Sequence, residues 1–162
     1  MSPPLIVQLL ALVTVANGTP VLAKKVMGNA LAIPLDGGAV FVDGRPLLGR
    51  SKTIRGLVLA IIVTTACAPL IGLEWQVGAL VGALAMAGDL ASSFAKRRLG
   101  LAPSSRATGL DQIPESLLAL MGCRLLLPVS ALDVVAGTAL FFAGELVLSR
   151  ILFQLHIRDR PF

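Results

Sequence analysis

The sequence predicts an all-α integral membrane protein with five transmembrane helices and two cytoplasmic polar loops. Three observations carry this. Of 162 residues 56% are hydrophobic, and the mean hydropathy is +0.86, far above that of a water-soluble domain. The apolar residues gather in runs of about 20, the length that crosses a bilayer as a helix. The few charges are lopsided, 14 Lys+Arg against 9 Asp+Glu, and the basic ones cluster between alternate runs. Aromatics make up only 4% and Tyr is absent. The basic excess is therefore read as membrane topology, with no nucleic acid as partner.

The spans are placed at residues 4–23, 54–73, 75–95, 114–132 and 133–155, in one transmembrane domain over 1–162. The first run has no basic residue ahead of it, as an export signal would; Lys24 and Lys25 follow it instead. It is read as a retained helix. The loop between the first two spans carries Lys24, Lys25, Arg45, Arg50 and Lys52, with Arg55 at its edge. The loop between the third and fourth carries Lys96, Arg97, Arg98 and Arg106, and the tail carries Arg158 and Arg160. Positive charge marks the cytoplasmic side, so both loops and the C-terminus are expected in the cytoplasm and the N-terminus outside the cell membrane. Cys67 and Cys123 lie inside apolar runs and are expected as buried thiols. In the third span "GALVGALAMAG" puts Gly78 and Gly82 at small-xxx-small spacing. Such a face suits another span or a second copy in a homodimer.

Four stretches can do chemistry. In "GDLASSFAKRRLG", Asp89 falls within a span, where an ionisable group is costly and usually functional. On a helix, Asp89, Ser93, Lys96 and Arg97 form one stripe. A carboxylate there suits Mg²⁺, which takes oxygen ligands together with substrate phosphates. The plainer reading is a buried Asp paired with a snorkelling cation. In "GLDQIPES", Asp111 precedes the fourth span. If spans three and four form an antiparallel hairpin, Asp89 and Asp111 can share one or two metal ions. Asp111 and Glu115 also fit simple roles at a helix start beside Pro114.

In "GRSKTIRG", Ser51 or Thr53 caps the second span, whose N-terminus favours anions. Lys52 and Arg55 add full charges for phosphate. "GRPLLGRS" matches a phosphate-loop pattern except for Arg50 in place of Lys. That motif needs a preceding strand in an α/β domain and is rejected. In "IPLDGGAVFVDGRPLLG", Asp36 and Asp43 either shape turns or line the site. "ANGTP" is expected to break the first helix at Asn17, Gly18 and Pro20 and to border the same cavity. Arg124, in mid-span, is expected to face the bundle interior and pair with Glu115 or Glu145. Glu145 reads as a buried acid and His156 as interfacial.

Taken together, "NGTP", "PLDGGAVFVDGRPLLGRSKTIRG", "GDLASSFAKRRLG" and "LDQIPES" resemble the CDP-archaeol synthase family, the archaeal branch of the CTP:phosphatidate cytidylyltransferases. The Lys-Asp pair, Pro-Gly-His-Gly-Gly turn and Asp-Arg of the bacterial enzymes are missing. The resemblance implies transfer of CMP from CTP to a lipid phosphate with Mg²⁺. It implies Asp89 and Asp111 on the metal. Ser51, Lys52, Thr53, Arg55, Ser93, Lys96 and Arg97 would then bind CTP phosphates, with Lys52 also catalytic. A CDP-alcohol phosphotransferase is set aside because "DGR" at Asp43 lacks that family's further aspartates. The non-enzymatic alternative is a small transporter or channel subunit.

Overall fold

The computed structural model describes residues 3–102, 105 and 107–154; Arg106, His156, Arg158 and Arg160 lie outside them. Five α-helices follow one another: α1 (Pro3–Met27), α2 (Ile54–Cys67), α3 (Trp75–Arg98), α4 (Gln112–Cys123) and α5 (Ala131–Gln154). A 3₁₀ turn, Pro69–Ile71, prolongs α2. Helices α1, α3, α5 and the α2–3₁₀ unit are long and apolar enough to cross a membrane. The five-helix, all-α architecture is as expected. The fourth helix is shorter than the run it sits in: its 12 residues cover about 18 Å of a hydrocarbon core about 30 Å thick. Pro128 disfavours helical backbone at Leu127 and so limits how far the run could continue, but the helix has already given way to turns at Arg124. The carbonyls of Gly122 and Cys123 are instead taken by tight turns from Leu125, Leu126 and Leu127.

Three sequence expectations fail here. Helix α1 is not broken at "ANGTP"; it runs through Pro20 to Met27. Neighbouring groups make the proline tolerable. Gly56 of α2 leaves room for the Pro20 ring, since a Cβ there would come 3.2 Å from it. Arg124 does not face the interior. It is exposed, immediately after α4, where a cation meets the negative helix end. Glu145 is half-buried in a groove between α1 and α5 beside Thr14, rather than fully buried. Cys123 is buried and Cys67 partly so, both as free thiols.

Lipid is as apolar as leucine, so membrane helices associate by close packing and interhelical hydrogen bonds. Glycine supplies the approach here. A Cβ on Gly78 would lie 2.6 Å from the Thr64 carbonyl oxygen, and one on Gly82 would lie 3.0 Å from Ile61 Cα. The small-residue face of α3 is therefore covered by α2 of the same chain and not left for a second copy. On the opposite side, Gly88 brings α4 against α3. A Cβ there would overlap the Pro114 carbonyl and come within 2.6 Å of Glu115 Cα. The core between these contacts is aliphatic: Leu9, Leu12 and Val13 of α1, Val81 and Ala85 of α3, Ala119 and Leu120 of α4.

Candidate active site

A cavity of about 340 Å³ opens where the C-terminal end of α1, the N-terminal end of α2 and the middle of α3 converge. Lys24, Arg50, Lys52 and Arg55 line it with Ser51, Thr53 and Asp89; Pro20, Leu57, Met86 and Leu90 form an apolar wall. Four cations thus face one acid. Thr53 is the N-cap of α2, its hydroxyl accepting from Gly56 N at 3.1 Å. The other free N–H groups of that helix end add to the positive field.

The α1–α2 loop is built to present Lys52. Asp36 is its hub: the carboxylate accepts from the backbone N–H of Gly38, Leu48 and Gly49 at 2.9–3.1 Å. Burial pushes this carboxyl up, but those three donors outweigh it and hold Asp36 below the usual carboxylate range. Leu35 N donates to the Lys52 carbonyl at 2.8 Å and Ile54 N to the Ile33 carbonyl at 3.0 Å, which fixes the backbone on both sides of Lys52. Asp43 lies at the far end of the loop, 2.5 Å from an Arg98 guanidinium nitrogen. Arg98 also stacks over Phe41 and Phe94 and so clamps the loop to the end of α3. Neither Asp36 nor Asp43 lines the cavity. Arg55 is buried, and its terminal nitrogens donate to the Gly28 and Ala30 carbonyls, leaving only Nε without a partner. It shapes the cavity wall by stitching α2 to the end of α1.

Lys52 Nζ lies 2.5 Å from Asp89 Oδ2. Behind this pair sits Glu115, 9% exposed, within hydrogen-bonding reach of Asp89. Asn17 of α1 donates to Glu115 Oε2 at 2.5 Å, and its own Oδ1 is buried without a partner. From the sequence Glu115 is expected at a helix start or paired with Arg124, not beside Asp89. The available signal was its position on α4 one turn after Asp111, facing an α3 that carries glycine just before Asp89. Asn17, expected only to line the cavity, lies in this acidic cluster behind it.

The basic end of α3 forms a neighbouring cluster. Lys96 Nζ is 2.6 Å from Asp111 Oδ1 and donates to the Ser105 carbonyl at 2.9 Å. The second Asp111 oxygen accepts from Ala107 N at 3.0 Å. Arg97, 3% exposed, donates to the Ala102 carbonyl and keeps Nε and Nη1 without partners. Ser93 is buried on the same stripe. Ser93, Lys96, Arg97 and Asp111 do not line the cavity, so the two expected metal carboxylates have different immediate partners: Asp89 has Lys52 and Glu115, Asp111 has Lys96.

Among the described residues no three His, Cys, Asp or Glu side chains gather into a metal cage. Asp89, with Glu115 within hydrogen-bonding reach, offers the one or two carboxylates by which Mg²⁺ would be held alongside substrate phosphates. The orphaned Asn17 oxygen beside two carboxylates fits it further.

Packed membrane-length helices around a cation-lined cavity with one apolar wall make this a multi-pass membrane protein equipped to meet phosphate at the edge of the bilayer. Known proteins narrow this class. The CDP-archaeol synthase of Sulfurisphaera tokodaii is 33% identical over 91% of this chain and 89% of its own. That of Saccharolobus solfataricus is 34% identical over 80% and 75%, and that of Hyperthermus butylicus 40% identical over 60% and 59%. A solved intramembrane enzyme for archaeal membrane lipid biosynthesis superposes with a TM-score of 0.76. It is 32% identical, covering 88% of this chain and 90% of that one. No protein-family model matches. The chain belongs to the CDP-archaeol synthase family.

Proposed function

We propose that the protein transfers CMP from CTP to the phosphate of an archaetidic-acid-like isoprenoid glycerol lipid, giving CDP-lipid and pyrophosphate. The observation that carries this reading is the cavity itself. Lys24, Arg50, Lys52 and the N-terminus of α2 suit several phosphates at once, and Leu57, Met86 and Leu90 suit the start of a hydrocarbon chain. A transporter or channel subunit has no evident use for a cavity that is basic on one side and apolar on the other.

In the reaction a lipid phosphate oxygen attacks the α-phosphorus of CTP in line. The bond from that phosphorus to the bridging oxygen breaks, and pyrophosphate leaves. Such a step needs positioning and charge neutralisation more than covalent help from the protein. Lys52, Arg50 and the α2 N-terminus hold phosphate oxygens; Ser51 and the backbone beside it donate hydrogen bonds. Lys96 and Arg97, buried at the end of α3 outside the cavity lining, add positive potential from behind it, and Arg97 keeps two guanidinium nitrogens without partners. Asp89 is the acid that would hold Mg²⁺, which supplies charge neutralisation between the phosphates. Asp111 orients Lys96.

The test is radiolabelled CTP with a panel of ether- and ester-linked lipid phosphates on detergent-purified protein. CDP-lipid and pyrophosphate are expected in equal amounts, with ether isoprenoid substrates preferred. Mg²⁺-dependent CTP binding without product from any lipid phosphate overturns the substrate assignment; no CTP binding at all overturns the enzyme.

CTP is a cytoplasmic nucleotide, so the cavity belongs on the cytoplasmic face with the N-terminus outside. Single cysteines at Gly44 and Gly109 in a Cys67→Ala, Cys123→Ala background are expected to react with impermeant maleimide only after the membrane is opened. Labelling of either in sealed cells reverses the orientation.

A further inference from the structure

The tip of the α1–α2 loop is rigid, yet its apolar side chains stay uncovered among the described residues. The chain folds back there as a short hairpin, with Val40 opposite Pro46. Phe41 N donates to the Arg45 carbonyl at 2.8 Å, Leu47 N to the Ala39 carbonyl at 2.8 Å, and Gly44 N closes the turn on the Phe41 carbonyl at 2.9 Å. Arg98 clamps the hairpin to α3 through Asp43, the Pro46 carbonyl and the Phe41 ring. Phe41 also meets Phe94 edge to face, with ring centroids 5.4 Å apart. A loop held this firmly still leaves Val40 62%, Phe41 40% and Val42 94% exposed. Three successive apolar side chains on a fixed tip mark a surface for a partner.

The position of the hairpin says what that partner is. Helix α3 has 24 residues, about 36 Å, and begins at Trp75, a residue type of membrane interfaces. The hydrocarbon core is about 30 Å thick within a bilayer of about 40–45 Å, so the Arg98 end of α3 falls in the headgroup layer. The flank agrees with the depth. Ala83, Ala87 and Ala91 form an exposed stripe on α3, and Phe94 and Arg98 continue it at helical spacing. The hairpin is clamped to those two residues, so it extends the lipid-facing side of the bundle. Charge then separates lipid from a second copy of the chain. Arg45, which is exposed, and Arg98 stand beside the tip against one acid, Asp43. A two-fold pair of copies would set these arginines against each other, whereas anionic headgroups complement them.

We propose that Val40, Phe41 and Val42 seat in the boundary between headgroups and acyl chains of an anionic bilayer, with Arg45 facing lipid phosphates. Apolar burial and attraction to anionic lipid together hold such interfacial elements. The seat bears on the cavity because the hairpin runs straight into it. Leu48 and Gly49, next along the chain, donate to Asp36, and Arg50, Ser51, Lys52 and Thr53 line the cavity. The bilayer surface thereby holds in place the loop that presents Lys52. This surface goes beyond the proposed reaction and does not depend on it.

The probe is a single tryptophan, Val42→Trp, in a Trp75→Phe background that removes the chain's only other one. The full chain is reconstituted in phosphatidylcholine vesicles with and without anionic phosphatidylglycerol. Lipids brominated near the top of the acyl chain are expected to quench the probe at least about twofold more strongly than aqueous iodide, and more in anionic than in neutral vesicles. Val40→Asp leaves the probe in place and puts a charge on the same tip; it is expected to cut lipid quenching about threefold or more. Quenching by iodide alone leaves the tip in water and overturns the proposal. Unchanged lipid quenching in Val40→Asp overturns it too, because the added Trp would then be seating itself. Shielding from both quenchers gives the tip to a second copy, the only other protein present, and likewise overturns it. Equal lipid quenching in the two kinds of vesicle overturns the part given to Arg45.

Discussion

Asp89→Asn is expected to lower CMP transfer by at least about a thousandfold, some 4 kcal/mol of transition-state stabilisation, with CTP still detectably bound. The substitution keeps size and shape and removes the charge. In the free protein the loss is mild. Lys52 and Asp89 are each about one-fifth exposed, 22% and 21%, so the freed ammonium rehydrates within the cavity. Melting is expected to fall by only about 2–4 °C. In the reaction the loss is large. The cation that would sit between Asp89 and the phosphates loses a charged ligand, and the amide presents an N–H₂ group to phosphate as readily as an oxygen. The paired measurement is CDP-lipid formation and melting temperature on one preparation. Activity within tenfold of wild type removes Asp89 from the metal site; a protein that no longer melts cooperatively makes its role structural.

How much of this was legible in the chain varies with the physics of each feature. The apolar runs and the loop charges are local properties, and they place the helices well. Thr53 as cap of α2 follows from one residue type at one helix start. Asp89 stands out because an acid inside an apolar run has so few reasons to be there. The end of α4 is less visible, since "RLLLPVS" is as apolar as the helix before it and only Pro128 marks the stop. The unbroken α1 is invisible in the same way: Pro20 reads as a breaker until Gly56 of another helix is known to face it. The division of labour among the acids is a tertiary property. Asp111 and Glu115 are four residues apart on the chain, and nothing local tells which faces Asp89 and which faces Lys96. Pairing across helices decides it, with Glu115 taken by Asn17 from 98 residues away.

That pairing depends on one missing methyl group, and Gly88→Ala is expected to undo it. Gly88 precedes Asp89 on α3 and faces the first turn of α4. An added Cβ would lie 2.5 Å from the Pro114 carbonyl carbon and 2.6 Å from Glu115 Cα. Both are backbone atoms, which cannot rotate away as the tip of a side chain would. The helix must move, and Pro114 and Glu115 are where it would move from. Overpacking of this kind costs about 1–3 kcal/mol. The functional cost is larger, because shifting α4 by about 1 Å carries Glu115 off Asp89 and Asn17, and a misplacement of that size is worth roughly a hundredfold in rate. Gly88→Ala should therefore lose about a hundredfold in CDP-lipid formation while it still inserts and purifies as a helical protein. Gly144→Ala, where an added Cβ meets nothing within 4 Å, is the matched control and is expected to keep wild-type rate. Equal rates for the two alanine variants would mean that the contact between α3 and α4 does not set the geometry of the acidic cluster. A loss confined to Gly88→Ala would place the geometry of the cluster at the point where the two helices touch.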